Sequence, residues 1–379
     1  MVAIVFWMSL AIILYTYIVY PLLLLVGKPK RYKYRLSLNY LPSVSVVISA
    51  YNEAKIIAEK IENLLSLDYP KEKLEIVIAS DGSTDNTANI VASYETKGIK
   101  LVRFNERCGK INVLNKVVPE LDGEIVVLSD ANTIFKKDAI KKLARSFMIP
   151  SIGCVCGKLV FTCAGKNEVA KLEGFYWHYE QFLKRIEGAN GALLGANGGI
   201  YAIRKALFTP LPPDTIVEDF VIPMKILEAG HKVIYEPAAV AFEETSKKII
   251  QEMERRIRIG AGDFQALLLT WRMLNPLRGF SAFAYISHKV IRWFVPFLLI
   301  IAFAANSVLI SNGFYCAIFI LQCAFYAVAM IGRMLSRTSV RLKAFGLPYY
   351  FISMNIALFF GFIRFCTNSQ SVTWERTER

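Results

Sequence analysis

Apolar residues are distributed along this chain in two quite different ways. At the amino end, residues 3–26 (AIVFWMSLAIILYTYIVYPLLLLV) run without a single charge. At 1.5 Å per helical residue, such a run is long enough to cross about 30 Å of hydrocarbon. Three further long apolar segments lie near 292–311, 313–332 and 346–363. Between these ends, from residue 43 to about 245, the apolar runs are short and alternate with stretches of helical period. SVSVVISA predicts a strand and EAKIIAEKIENLLSL a helix; LEIVIAS predicts a strand and NTANIVASY a helix that Ser83 or Thr84 caps. IKLVRF, KINVLNKVVPEL and EIVVLSD continue the alternation as strand, helix and strand. Strands that are apolar throughout and alternate with helices predict an α/β domain with a mostly parallel sheet covered on both faces. Farther on, GCVCGKLVF, GGIYAIR and HKVIYEP read as strands and KLEGFYWHYEQFLKRI as a helix.

Charge refines this outline. The chain of 379 residues is 54% hydrophobic yet carries a net charge of +14. A signal peptide would need a basic start, a shorter apolar core and a small-residue cleavage site, none of which is present, so the first run is an anchor. Five basic residues follow it between Lys28 and Arg35, and Arg333, Arg337, Arg341 and Lys343 occupy the loop between the last two apolar segments. Basic residues flanking spans favour the cytoplasmic side and attract anionic headgroups, which accounts for much of the charge without nucleic acid. No basic helix interleaved with aromatics occurs in the middle region, so nucleic-acid binding is not expected. The seven cysteines form no CxxC pair and the three histidines no zinc set; reduced thiols such as Cys154, Cys156 and Cys163 are expected as small core residues. The segment 264–290 mixes Trp, Arg and aliphatic residues, as helices lying at a membrane surface do. The expected organisation is an anchor over 1–27, a soluble domain over 28–245, Arg-rich and interfacial helices over 246–290, membrane helices over 291–365 and a tail over 366–379. One early and three late spans would leave the tail outside, unless one late segment lies flat or a further span hides in 279–291.

The candidate chemistry collects at the strand ends. The first strand runs into SAYNE, the second into SDGSTD and the fourth into SDAN. Each alone is a turn, since Asp, Asn, Gly and Ser suit turns. Parallel strands bring their carboxyl ends to one edge of a sheet, however, where open α/β folds bind ligands. Asp130 is then a candidate ligand for a hard cation shared with substrate phosphates, and Asn132 a neutral and weaker companion. Lys110, in RCGKIN, reads as a solvated lysine when taken singly and as a cation beside a diphosphate in this setting. Glu218 and Asp219, in IVEDF, either favour a helix amino end or supply a general base. Arg255, Arg256 and Arg258, in RRIRIGAG, either face lipid phosphates or clamp a diphosphate.

In order, strand-YNE, strand-SDGSTD, GK-x₃-LN, strand-SDAN, GANGGIYAIRK, VEDF and RRIRIGAG resemble the membrane-bound family 2 glycosyltransferases, whose relatives include hyaluronan, chitin, cellulose and poly-N-acetylglucosamine synthases. The resemblance covers about residues 43–275 and implies the GT-A fold, an inverting reaction and Mg²⁺ or Mn²⁺. It implies a nucleoside pocket at Ala50, Tyr51, Glu53 and Asp81, with Lys110 and Asn132 on the donor side. It further implies Asp130 as the metal ligand, Asp219 as the base supported by Glu218, and Arg255 and Arg258 on the donor. Asn197, Gly198 and Gly199 would face the acceptor, and Trp374 in the terminal WERTER would join them. Two departures stand out: the family's DxD is DxN here, and the Q-x-x-R-W element has Arg255 at its glutamine and Ile259 at its tryptophan. The missing tryptophan points to a single addition on a lipid-linked acceptor, whereas WERTER points to polymer synthesis.

The expected partners are a nucleotide sugar, a UDP-sugar in preference to a GDP-sugar, a glycan or lipid-linked acceptor and membrane lipids. The expected location is the plasma membrane, as a multi-pass protein with its catalytic domain in the cytoplasm. A non-catalytic sensor or scaffold for nucleotide sugars is the alternative; it would have no use for a base at Asp219. A transporter would need polar residues in its spans, and these offer little beyond Asn306, Gln322 and Asn355.

Overall fold

A computed structural model describes residues 1–27, 40–162, 168–244, 249–335 and 343–371. Among these residues eight strands form one mixed sheet: β1 Val44–Ala50, β2 Leu74–Asp81, β3 Ile99–Phe104, β4 Ile125–Ser129, β5 Thr133–Phe135, β6 Ile152–Thr162, β7 Tyr201–Arg204 and β8 Lys232–Glu244. Their order is β3-β2-β1-β4-β7-β6-β8-β5. The β3-β2-β1-β4 half is parallel, as the alternating pattern predicts, with Val44 beside Leu74 and Ile125. β7 then runs antiparallel to both β4 and β6, β6 is parallel to β8, and β5 pairs antiparallel to β8. The short β5 has no hydropathy signature of its own; Thr133–Phe135 becomes a strand because Ala241–Glu243 lies alongside it.

The central strands are buried on both faces, and two apolar cores result, one on each side of the sheet. On one side Val46, Ile48, Ile76 and Ile78 pack with Ile57, Ile61 and Leu64 of helix Ile57–Leu65. On the other, Val47, Val77 and Val126 pack with helices Lys110–Val117 and Glu218–Glu228, and this core continues without a break into Tyr20, Tyr285 and Trp293. The sheet is therefore seated on the apolar helices through shared core.

Among the described residues, four helices are long and apolar enough to cross a membrane: Val2–Val26, Phe280–Val308, Gly313–Leu335 and Phe345–Cys366. Residues 280–290 belong to the second of these, so no additional span is hidden there, and the chain before it breaks into short turns at Trp271–Leu274 and Pro276–Arg278. The amino-terminal helix is tied to the rest where Thr16 donates to the Ser287 carbonyl at 2.7 Å and Tyr20 donates to Glu187 at 2.9 Å. His288 Nδ1 lies 2.6 Å from the same Glu187, on helix Glu168–Ala189. The expected cap of the second soluble helix differs: Asn86 precedes Thr87–Ala92, and Ser83 and Thr84 instead bond to Asn52.

Candidate active site

The carboxyl ends of β1, β2 and β4 open onto one edge of the sheet, and the predicted polar clusters meet there. Asn52, at φ 54°, turns the chain after β1. Its side-chain oxygen accepts from the amides of Thr84 (2.8 Å) and Asp85 (3.3 Å), and Asp85 in turn accepts from the Ala54 amide at 3.1 Å. The Glu53 amide donates to Thr87 Oγ1 at 2.8 Å. YNE and SDGSTD are thus one stitched double turn, in which Asp85 has a structural task. Ala50 is fully buried at the end of β1, and the Arg107 guanidinium lies 3.9 Å over the Tyr51 ring. That stacking was not legible in the sequence, because Arg107 arrives from a different loop.

Asp81, the last residue of β2 and 3% exposed, faces inward. Its two oxygens accept from the Cys108 amide at 2.8 Å and the Gly109 amide at 2.9 Å. Gly82 stands at φ 63°, and a Cβ there would lie 2.5 Å from the Arg107 nitrogen, so the 105–109 loop crosses directly over the β2 turn. This crossing places helix Lys110–Val117 with its first residue at the cleft.

Lys110 is the electrostatic centre of the cleft. Its Nζ lies 2.7 Å from Asp130 Oδ1 and 2.7 Å from Glu218 Oε1. Burial opposes its charge, but Asp130 and Glu218 outweigh that penalty and hold its pKa above the ordinary lysine value. Burial likewise pushes Asp130 upward, and Lys110, with Lys60 and Arg255 behind it, brings it below the usual carboxylate range. Asp219, half-buried in the first turn of helix Glu218–Glu228, goes the other way. Burial and then the neighbouring Glu218 raise its pKa to about 6, against the pull of Lys110. One cleft therefore keeps one carboxylate firmly ionised and another near neutrality, the separation that acid–base chemistry requires.

Gly198 is the point where the two meet. A Cβ on it would lie 3.0 Å from Asp219 Oδ2 and 3.5 Å from Asp130 Oδ2, so both carboxylates come against the bare Cα of GANGG. Asn197, 8% exposed, is held by its Nδ2 donating to the Gly157 carbonyl at 2.9 Å and by Lys184 at its oxygen. Gly199 packs against Thr133, where a Cβ would come within 2.7 Å of Cγ2. Asn132 faces away from Asp130 and donates to Glu243 at 2.9 Å. Arg255 and Arg258 lie on helix Ile249–Leu269, whose Gly262 backs onto Val217, one residue ahead of Glu218. Burial lowers Arg258, and Glu218 and Asp219 pull it back up, so its charge faces the same cleft. Trp374 lies outside the described residues.

The residues present suit a divalent ion of one particular kind. Among the described residues no group of three His, Cys, Asp or Glu side chains is arranged to hold a metal. Asp130, the carboxylate the motif singles out, has one oxygen on Lys110 and the other toward Gly198, with Asp219 close to the same glycine. Mg²⁺ and its like commonly use one or two carboxylates and take the rest of their shell from phosphate and water, and this donor set fits that arrangement and no all-protein cage.

Three basic or acidic groups escaped sequence reasoning. Lys184 sits in an ordinary charged stretch and carries no signal. Asp263 follows RRIRIGAG; burial raises it to about 7, with Trp293 as its hydrogen-bond donor. Lys60 left a readable trace: it occupies the buried Ile57-Lys60-Ile61-Leu64 stripe of its helix, a core position taken by a lysine.

Residues 45–209 match the family model "Glycosyl transferase family 2". The chain is 28% identical over 249 residues to poly-beta-1,6-N-acetyl-D-glucosamine synthase of Staphylococcus aureus (strain COL), a match covering 62% of this chain and 60% of that protein. It is 25% identical over 339 residues to the probable glycosyltransferase YdaM of Bacillus subtilis (strain 168), covering 82% and 77%. The mannosyltransferase PcManGT from Pyrobaculum calidifontis, solved in complex with GDP-Man and Mn²⁺, superposes with a TM-score of 0.74 at 23% identity, over 96% of this chain and 99% of that one. That likeness extends the shared fold to the flanking helices. The family model thus lies on the strands that build the cleft: residues 45–209 form a glycosyl transferase family 2 domain, and the sheet has the GT-A fold.

Proposed function

We propose that the protein is a membrane-anchored inverting glycosyltransferase that moves a sugar from a nucleotide sugar to a hydroxyl of a polysaccharide or lipid-linked glycan. The observation that carries this reading is the pairing across Gly198 of a carboxylate held ionised, Asp130, with one raised to about 6, Asp219. A carboxylate titrating near 6 is ionised at neutral pH yet basic enough to accept a proton from an attacking hydroxyl. Asp219 takes that proton, the hydroxyl oxygen forms a bond to the anomeric carbon, and the bond from that carbon to the phosphate oxygen breaks. Attack from the face opposite the leaving group inverts the anomeric centre. Lys110, charged between Asp130 and Glu218, and Arg255 and Arg258 stabilise the negative charge that builds on the departing diphosphate. Asp130 would hold Mg²⁺ or Mn²⁺, which when bound supplies Lewis-acid stabilisation of the diphosphate. Glu218 keeps Lys110 in place and raises the basicity of Asp219.

Tyr51, with Arg107 stacked on it, and the Asp81-held loop form the nucleoside side, Ala50 and Glu53 its floor and rim, and Asn132 its outer wall. Asn197, Gly198 and Gly199 form the acceptor side, with Trp374 assigned to it by the family motif alone. A UDP-sugar is the donor proposed ahead of a GDP-sugar, while the mannosyltransferase of like fold was solved with GDP-Man; the polysaccharide synthase among the relatives supports a glycan acceptor, and the chain spans about 60% of that relative's length. The catalytic domain would face the cytoplasm at the plasma membrane.

The test is a donor screen with detergent-purified full chain and Mg²⁺ or Mn²⁺, following nucleoside diphosphate release. One donor should turn over with lipid extract as acceptor, turnover should vanish on chelation and return with metal, and Asp219→Asn should lower kcat by at least about a thousandfold while donor binding persists. Binding without turnover for every donor would replace this reading with a non-catalytic sensor of nucleotide sugars.

A further inference from the structure

Lys60 is one of the most deeply buried side chains in the protein, with no exposed surface, and the reaction outlined above makes no use of it. It rises from helix Ile57–Leu65 into the underside of the cleft floor, where it makes no ion pair among the described residues, Asp130 acting on it only from beyond contact. Its Nζ donates to Ser129 Oγ at 3.0 Å, to the Thr133 carbonyl at 2.5 Å and to Thr133 Oγ1 at 3.3 Å, and lies 4.1 Å from the centre of the Phe135 ring. Ser129 and Thr133 are themselves buried.

These two hydroxyls bracket Asp130 and reach the other loop of the site. Ser129 Oγ donates to the Gly199 carbonyl at 2.7 Å, and Thr133 Oγ1 lies 2.9 Å from the Asp130 carbonyl and 3.2 Å from that of Gly199. Ser129 Oγ and Thr133 Oγ1 also lie 2.6 Å apart, so an amine that gives its protons to both oxygens leaves one hydroxyl donating to the other and the remaining proton for those carbonyls. One buried nitrogen therefore ties the SDANT turn to the GANGG turn through a joined pair of hydroxyls. Those turns carry Asp130 and Gly198, the two groups whose spacing defines the cleft. A buried lysine is costly to desolvate, and a methionine would fill the same core position without that cost. Its presence where packing alone would favour an apolar residue asks for a role beyond packing.

We infer that Lys60 is a positioning residue that locks the Asp130 turn and the Gly198–Gly199 turn into one register, and so preorganises Asp130 for the metal-bound diphosphate of the donor. This inference rests on the proposed function for the identity of that ligand. It assigns Lys60 no contact with substrate; its effect passes through Ser129, Thr133 and the backbone of Asp130, in addition to the charge it holds toward that carboxylate.

The probe is the affinity of the full-length protein in detergent for UDP and GDP, measured calorimetrically with and without Mn²⁺. Wild type, Lys60→Met, Asp130→Asn and the double variant are compared. Lys60→Met should weaken Mn²⁺-dependent nucleotide binding by about tenfold, leave metal-free binding unchanged, and have no further effect once Asp130→Asn is present. Equal Mn²⁺-dependent affinity in wild type and Lys60→Met overturns the inference, as does a loss of the same size without metal or in the Asp130→Asn background, which would mark a purely structural lysine. Ser129→Ala, which keeps the lysine, should weaken Mn²⁺-dependent binding in the same sense. It decides the matter if Lys60→Met does not fold, and unchanged binding in it overturns the inference. A wild type that binds nucleotide but transfers no sugar sinks the transferase reading and leaves this comparison intact; a wild type that binds neither nucleotide overturns both.

Discussion

At the scale of single residues, the site works by contrast between like groups. Asp130 and Asp219 are both aspartates at the same cleft, meeting at a residue with no side chain. Lys110 touches the first and lowers its pKa, while burial and Glu218 raise that of the second to about 6. Two consequences follow for Asp219, with opposite signs for activity and stability. As a base it must be ionised, so kcat should fall about tenfold per pH unit below about 6 and level off above it; a rate flat from pH 5 to 8 would remove Asp219 from that role. For stability, a carboxyl whose folded pKa exceeds its unfolded value of about 3.9 binds its proton more tightly when folded. It therefore favours the folded state below about 4, and this contribution is lost as pH rises through 6. Asp219→Asn should accordingly raise the thermal midpoint by a few degrees at pH 7.5 while abolishing turnover, with the gain fading toward pH 4. Differential scanning at the two pH values reads this directly. The identity of these residues was open in the sequence; the direction in which each titrates was not, because beyond the adjacent Glu218 it depends on Lys110 and on burial that other segments of the chain impose.

At the scale of elements, close approach of backbone decides the geometry. Gly82 lets the 105–109 loop cross β2 and so aims Lys110, and Gly198 lets two carboxylates share one side of a turn. Gly198 has an ordinary φ, so alanine is conformationally acceptable there and the added methyl acts only through the 3.0 Å contact with Asp219. Gly198→Ala should leave the thermal midpoint nearly unchanged and lower kcat by about tenfold or more, since misplacing a reacting group by a few tenths of an ångström is costly; unchanged kcat would show that Asp219 has slack the site does not need. Most elements were legible in the sequence because strand and helix periods differ. The antiparallel half was less so: β5 and the second half of β8 exist through partners distant in sequence, and local pattern carries no record of them.

At the scale of the whole molecule, the sheet and the membrane helices share one core, and this bears on topology. Helix Phe345–Cys366 has the length and hydropathy to cross a bilayer. It packs, however, along helix Ile249–Leu269, with Gly361 against Gly260, Arg364 2.9 Å from Glu254 and Arg256 over the Tyr350 ring at 4.9 Å. A helix carrying Glu254, Arg255, Arg256, Arg258 and Asp263 is expensive to place in hydrocarbon, so its neighbour is expected to lie along the membrane surface. Three crossings then remain, and residues 367–371 fall on the same side as the sheet. A cysteine introduced at Gln370, with the exposed Cys323 and Cys366 replaced, should react with an impermeant maleimide in the same vesicle orientation as one at Lys137. Reaction in the opposite orientation would mean that the last helix crosses.

The sequence by itself determined the local and the additive: which segments are strands, which helices can enter a membrane, and which polar residues stand at strand ends. These follow from periodicity, length and charge, each a property of neighbours along the chain. Only the tertiary structure decided what the polar residues do to one another. It turned Asn132 toward Glu243 and Asp81 onto the 108–109 backbone, put Lys60 beneath the cleft floor, and set Lys110 between Asp130 and Glu218. Charge, burial and hydrogen-bond direction are properties of neighbours in space, and residues from 60 to 258 become neighbours only when the sheet closes.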